Sequence, residues 1–152
     1  MPDTTGPWLD EAEQSTWRAY LEGSMRLAEA LTRQLETDHG LTLGEYAVLV
    51  RLDESPEQTL RMSELADSLA HSRSRITHTV RRLESRDLVR RVACQADGRG
   101  VNCELTDAGR AALVAAAPGH VASVRRHLVD LLEPAEAAIL TEIMRRVADS
   151  AR

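Results

Sequence analysis

The sequence predicts a mainly α-helical fold that carries one small β-hairpin. Aromatic residues make up only 3% of the 152 residues and phenylalanine is absent, so leucine, valine, alanine, isoleucine and methionine must supply the core. These residues are typical of packed helices rather than of β-sandwiches. Apolar residues recur at helical spacing along most of the chain, and two short β-prone runs flank a turn-forming segment at 97–100. A single domain spanning residues 1–152 is expected.

The first predicted helix runs from about Asp10 to His39 and ends at Gly40. Gly23 lies inside it and lowers its helix propensity. Its apolar residues repeat near heptad spacing, at Trp17, Leu21, Ala28, Leu31 and Leu35. The helix is longer than a local brace requires, which suggests a role in assembly.

The next segments predict two shorter helices separated by a loop. Thr42 can cap a helix that extends to about Asp53, and the Ser55-Pro56 pair ends it, so residues 54–60 are expected to form a loop. Ser63 can then cap a short helix that carries Leu65 and Leu69.

The stretch from His71 to Arg91 is strongly basic. It contains seven arginines against Glu84 and Asp87, a local charge of +5, whereas the whole chain has a net charge of −5. Ser72 can cap a helix whose apolar stripe is Ile76, Val80 and Leu83. The opposite face carries Ser74, His78, Arg81 and Ser85. One face is therefore expected to pack inward and the other to meet a partner.

About three residues join this basic helix to the short helix before it, which is the spacing of a helix-turn-helix. The exposed face has no acid before Glu84 that would repel phosphates, so the pattern favours contact with DNA. One alternative is a solvated basic helix packed on its neighbour. Another is a protein-interaction module that binds an acidic partner, and this module would show no preference for DNA sequence.

The chain after Arg86 predicts a β-hairpin. Leu88, Val89 and Val92 form one β-prone run, and Val101 to Leu105 form the other. The tip between them carries Asp97 and Arg99, and an exposed arginine there could reach a neighbouring minor groove.

Two helical segments follow the hairpin. Thr106 can cap the first, and the Pro118-Gly119 pair should kink or break it. Glu133-Pro134 starts the last, whose apolar stripe is Ile139, Leu140, Ile143, Met144 and Val147. The stripes at both ends of the chain exceed what one protomer can hide and predict a homodimer, although they can also pack partly on each other.

Other features of the sequence limit the possible location and function of the protein. The chain has no signal-peptide pattern and no apolar run long enough to span a membrane, so a cytoplasmic location is expected. No cofactor or metal is expected, because the histidines lack paired ligand spacing. Ser74 and His78 lie four residues apart but on an exposed helix face, which argues against an enzyme. Cys94 and Cys103 could face each other in the hairpin, and this leaves a redox-responsive regulator as an alternative.

Three segments together resemble the MarR family of winged helix-turn-helix regulators: SRSRITHTVRRLESRDLV, DGR and ELTDAGR. The resemblance covers nearly the whole chain. It implies a winged helix-turn-helix core at about 42–106, with N- and C-terminal dimerisation helices at about 9–39 and 107–152. It also implies a homodimeric transcription regulator, usually a repressor, that binds double-stranded DNA at an inverted-repeat operator and is often released by a small aromatic or anionic ligand.

The resemblance also assigns site residues. Those matching the groove-facing part of the recognition helix are Ser72, Arg73, Ser74, Arg75, Thr77, His78 and Arg81. Arg99 matches the arginine at the tip of the hairpin, which the family uses as a wing, and Asp97 matches the acid that orients it. The chain departs from the family at Asp87, where many members have glycine, and it lacks the first-helix cysteine of the oxidant-sensing members.

A ligand pocket would lie between the first, second and fifth helices. Its candidate lining residues are Trp17, Tyr20, Tyr46 and Arg51, with the arginine as a partner for an anion. The alternative is that Trp17 and Tyr20 belong to the core or to the interface between protomers.

Overall fold

The computed structural model describes Gly6, residues 8–94 and residues 100–151. In chain order, its α-helices are α1 (Glu11–His39), α2 (Leu43–Asp53), α3 (Met62–Ser68), α4 (Arg73–Glu84), α5 (Asp107–His127) and α6 (Pro134–Ser150). Its strands are β1 (Thr59–Arg61), β2 (Val89–Ala93) and β3 (Val101–Leu105), and short 3-10 turns occupy Pro56–Gln58 and Val129–Leu131. The predicted α-helical fold with a β-hairpin is confirmed.

Helix boundaries follow the capping residues of the sequence. Asp10 begins α1 with a capping box, in which its carboxylate accepts from the Glu13 amide at 2.8 Å and its own amide donates to the Glu13 carboxylate at 2.9 Å. Gly40 ends the helix in the left-handed region with φ of 62°. Thr42 caps α2, as predicted.

The sheet has one strand more than predicted. All three strands are antiparallel in the order β1-β3-β2, with Leu60 opposite Cys103 and Val89 opposite Leu105. The expectation of a loop throughout residues 54–60 was therefore wrong. The segment Thr59–Arg61 is too short to show alternation by itself, and it becomes a strand because β3 offers a free edge.

Two helix predictions also need correction. Helix α3 begins at Met62 with Arg61 at the cap position, so Ser63 lies inside the helix rather than at its start. Helix α5 continues through Pro118, so of the predicted kink or break only the break is contradicted. At Gly119, an added Cβ would lie 3.0 Å from the Gln34 amide nitrogen of α1, so the two helices approach closely at this point. This packing along α1 compensates for the hydrogen bond that proline removes.

The core joins the helix-turn-helix to the long helices. Ile76, Val80 and Leu83 of α4 are completely buried, as the apolar stripe predicted. They belong to one cluster with Leu35 of α1 and Leu113 of α5. This cluster holds α4 by its inner face and leaves the outer face exposed.

The apolar stripes near both ends of the chain remain exposed. Trp17 and Tyr20 of α1 stack with their ring centroids 5.9 Å apart, and with Ile143, Met144 and Val147 of α6 they line an open groove of about 410 Å³. Ile139 is 60% exposed. None of the described helices has both the length and the apolarity needed to cross a bilayer.

Candidate nucleic-acid interface

Helix α4 presents a polar face built by its own capping and packing. The Ser72 hydroxyl accepts from the Arg75 amide at 3.2 Å and lies 3.2 Å from the Ser74 hydroxyl, which fixes the first turn. Because the opposite side is buried, Ser74, His78 and Arg81 lie together along the exposed side. The structure thus gathers the predicted central residues on one accessible face.

The predicted arginines flank this face on opposite sides. At 100° per residue, Arg73 and Arg75 lie about 200° apart around the helix. Arg73 and Thr77 line a groove of about 310 Å³ beside α3 and the hairpin. Arg75 lines a different groove, of about 570 Å³, together with His71 and residues of α1 and α2. The Thr77 hydroxyl donates to the Arg73 carbonyl at 2.8 Å, so its hydrogen is already used within the helix.

The β2–β3 hairpin, hereafter the wing, is tied to the end of α4 by an ion pair. Glu84 accepts from the Arg91 backbone amide at 3.1 Å and from the Arg91 guanidinium at 3.0 and 2.7 Å. These hydrogen bonds hold the pKa of the Glu84 carboxyl below its usual range. The carboxylate therefore stays charged and fixes the wing beside α4. The wing tip residues Asp97 and Arg99 lie outside the described residues.

The structure places further residues beside the exposed face of α4 that were not predicted as site residues. Arg61, Ser63 and Arg91 line the groove beside Arg73, between α4 and the wing. Arg61 reaches this position because β1 pairs with β3, which places Arg61 opposite Asn102. The sequence signal was weak, since the only hint was a three-residue run of Thr, Leu and Arg in an expected loop.

Comparison with known proteins identifies the group to which this architecture belongs. A sequence profile of the MarR family matches residues 39–100. The HTH-type transcriptional regulator MhqR of Bacillus subtilis (strain 168) is 30% identical over 114 residues, which are 75% of this chain and 77% of that protein. The chain belongs to the MarR family. Its members are DNA-binding transcriptional regulators, so the predicted family and the predicted role as a DNA-binding transcription regulator are confirmed.

Solved MarR-family structures match almost the full length of the chain. Sco3205 of Streptomyces coelicolor, solved in complex with DNA, is 45% identical with a TM-score of 0.93, over 95% of this chain and 94% of that one. AbsC of the same organism is 40% identical with a TM-score of 0.91, over 97% and 99% of the two chains. The winged helix arrangement of this MarR-family chain is therefore shared from α1 to α6.

The two cysteines of this MarR-family protein do not face each other, and the expectation that they could was wrong. Cys103 lies opposite Arg91, and Cys94 lies three residues further along, which is about 10 Å and on the opposite face of the hairpin. Cys103 is buried, and burial raises the pKa of its thiol to about 12. The Cys94 sulfur lies 3.5 Å from the Arg61 guanidinium. A disulfide between the strands is geometrically excluded.

The four candidate pocket residues do not line one cavity in this chain. Trp17 and Tyr20 line the groove between α1 and α6. Tyr46 is buried against His120 of α5, with the rings 4.4 Å apart. Arg51 is exposed and pairs with Glu54 at 3.4 Å. The helical periodicity places Tyr46 inward and Arg51 outward on α2, which separates them.

The described residues give little support to a metal site or to covalent catalysis by Ser74 and His78. Within residues 8–94 and 100–151, no group of three or more His, Cys, Asp or Glu side chains is arranged to hold a metal ion. The Ser74 hydroxyl contacts Ser72 rather than His78, and both Ser74 and His78 are exposed. This arrangement lacks the activated nucleophile that covalent catalysis needs.

Proposed function

We propose that this chain is a homodimeric repressor that inserts α4 into the DNA major groove at an inverted-repeat operator. The observation that carries this proposal is the exposed face of Ser74, His78 and Arg81, which is free of acids and flanked by Arg73 and Arg75. Such side chains donate to base edges and phosphates, and a helix of this length fits the major groove. Since its target is the chromosome, we place the protein in the cytoplasm.

The apolar faces of α1 and α6 support the homodimer. Trp17, Tyr20, Ile143, Met144 and Val147 together leave a large apolar surface that a second copy would cover. A two-fold dimer presents two copies of α4, so the operator half-sites should be centred about 10 bp apart, or one further turn.

The residues on α4 and the wing should divide their tasks. Arg75 lies in the first turn, where side chains reach base edges, and a bidentate contact to guanine contributes about 1–3 kcal/mol of discrimination. Arg61, Arg73 and Arg91 line the groove between α4 and the wing, where a phosphate backbone would pass. Arg99, at the wing tip, is expected to enter the adjacent minor groove and to contribute affinity more than sequence preference.

The experiment begins with selection of a binding site from random DNA by the purified full-length protein. Arg75→Ala should reduce discrimination at one or two base positions of each half-site, measured with single-base variants of the selected site at fixed salt. Arg125→Ala is the matched control, because it removes the same charge from an exposed ion pair near the far end of α5, about 27 Å along that helix from the wing. Failure to select any inverted repeat would refute the proposal, as would identical base preferences for Arg75→Ala and the native protein.

A regulatory ligand is a second proposal, supported by the groove between α1, α2 and α4. This groove holds Arg75 and His71, and the His71 Nδ1 atom is buried without a hydrogen-bond partner. Burial, with a smaller effect of the Arg75 charge, lowers the pKa of His71. A small aromatic anion bound there would compete with DNA for Arg75. It should raise thermal stability and weaken operator binding together, and a metabolite screen with neither effect would favour a ligand-independent regulator.

A further inference from the structure

Glu45 is a charged residue buried at the junction of three helices. It is 1% exposed, although a carboxylate is costly to bury unless its oxygens are paired. One oxygen accepts from the Thr42 backbone amide at 2.9 Å and so caps α2. The other lies 2.9 Å from the Arg82 guanidinium of α4. A simple helix cap would not need to be buried or to contact α4, so the second contact requires its own explanation.

Arg86 extends this contact to the end of α1. Its guanidinium lies 4.0 Å from the Glu45 carboxylate and donates to the Gly40 carbonyl at 2.7 Å and the His39 carbonyl at 3.5 Å. These carbonyls end α1, where a cation is favourable for the helix dipole. Arg82 and Arg86 are four residues apart and lie on the same flank as Arg75. Glu45 therefore links α2, the flank of the recognition helix and the end of α1.

The polar contacts of Glu45 can fix the orientation of α4, which the apolar core alone cannot do. Ile76, Val80 and Leu83 hold α4 against the core, but hydrophobic contact is non-directional and permits small rotations and shifts along the helix axis. Charge-assisted hydrogen bonds have preferred directions and restrict such movements. The wing side of α4 is fixed by the Glu84–Arg91 pair, and the α1 side is fixed by Glu45.

We propose that Glu45 is a positioning residue that sets the spacing of operator half-sites. Helix α1 carries the apolar face assigned to the dimer, and α4 carries the face assigned to DNA. The contact between their ends consequently determines how far apart the two copies of α4 lie and how they are angled. This inference rests on the proposed dimeric DNA-binding function. It assigns a role in operator recognition to Glu45, a residue that would not itself contact DNA.

The test uses the full-length protein and the inverted repeat it selects from random DNA. Binding is measured for that site and for versions whose half-sites are one base pair closer or further apart. Glu45→Gln keeps an oxygen that can accept from Thr42 but removes the charge facing both arginines. It should reduce the preference for the native spacing about tenfold, a change of about 1.4 kcal/mol. Glu54→Gln is the control, because it removes an exposed acid at the C-terminal cap of α2 that pairs with Arg51, and it should preserve the preference.

Arg86→Gln provides a second approach if Glu45→Gln folds poorly, since 42% of the Arg86 side chain is exposed and the substitution removes the charge that faces both Glu45 and the end of α1. It should also reduce the spacing preference, and the double variant should lose less than the sum of the single effects. A purely structural role would lower the melting temperature and weaken binding to every spacing by the same factor. That result would overturn the positioning role while leaving the proposed function intact. Selection of no inverted repeat by the native protein would instead overturn the proposed function, and the positioning role with it.

Discussion

Replacement of Gly109 by alanine tests the close approach of α5 to the base of the wing. An added Cβ would lie 1.9 Å from the Leu88 carbonyl oxygen and 2.8 Å from a methyl group of Leu105, whereas real contacts essentially never fall below 3.0 Å. The Leu88 carbonyl would have to move by more than 1 Å. It cannot move freely, because it accepts from the Thr106 amide at 3.2 Å. Glycine is therefore required at position 109, in the ELTDAGR segment, because a Cβ atom there would clash with the Leu88 backbone.

The expected cost follows from three contributions. Overpacking a tight contact costs about 1–3 kcal/mol. Weakening the Thr106 hydrogen bond costs about 1 kcal/mol more. Alanine returns about 0.5–1 kcal/mol through its higher helix propensity. Gly109→Ala should thus lower the free energy of unfolding by about 2 kcal/mol, which corresponds to a melting temperature lower by roughly 4–8 °C in a protein of this size.

Gly44→Ala is the matched control for this measurement. It places the same Cβ on α2, where the nearest atom is the Thr42 hydroxyl oxygen at an ordinary 4.0 Å. Its stability should stay the same or rise by about 0.5 kcal/mol. Both variants are compared with the native protein by urea denaturation at fixed protein concentration. If Gly109→Ala were as stable as Gly44→Ala, the argument from the 1.9 Å approach would be incorrect.

Three further predictions follow from burial and charge. Because burial raises the pKa of Cys103 from 9.0 to about 12, only the unfolded state ionises in that range. Stability should then fall between these pH values by up to about 1.4 kcal/mol per pH unit, and Cys103→Ala should show a shallower fall in the same denaturation series. Glu84→Gln should destabilise by about 1 kcal/mol or less at neutral pH, since its side chain is one-third exposed. This difference should vanish as acid titrates Glu84 in the native protein through its lowered pKa. A difference that does not decrease as the pH falls would argue against the ion pair as its source. Light scattering should give about twice the 16.8 kDa of one chain, and Ile143→Glu should shift the mass towards one chain by placing a charge in the apolar groove.

Most of the helix starts could be predicted from interactions between residues that are close together in the sequence. Asp10, Thr42, Ser72 and Thr106 cap their own helices through hydrogen bonds to residues three positions away, so the starts of α1, α2, α4 and α5 depend only on neighbouring residues. The buried stripe of α4 also follows from spacing alone. Asp87 adopts a left-handed φ of 56°, as its match to a family glycine implied.

Long-range packing decided the features that the sequence left open or predicted incorrectly. Strand β1 exists because β3 offers it an edge, and α5 continues through Pro118 because it packs along α1. The register between β2 and β3 places the two cysteines on opposite faces of the wing. The sequence by itself determined which segments are helical and which face of α4 is polar. Only the tertiary structure decided which distant residues meet at Glu45, because that contact joins residues 39–45 to residues 82–86 and no local pattern records it.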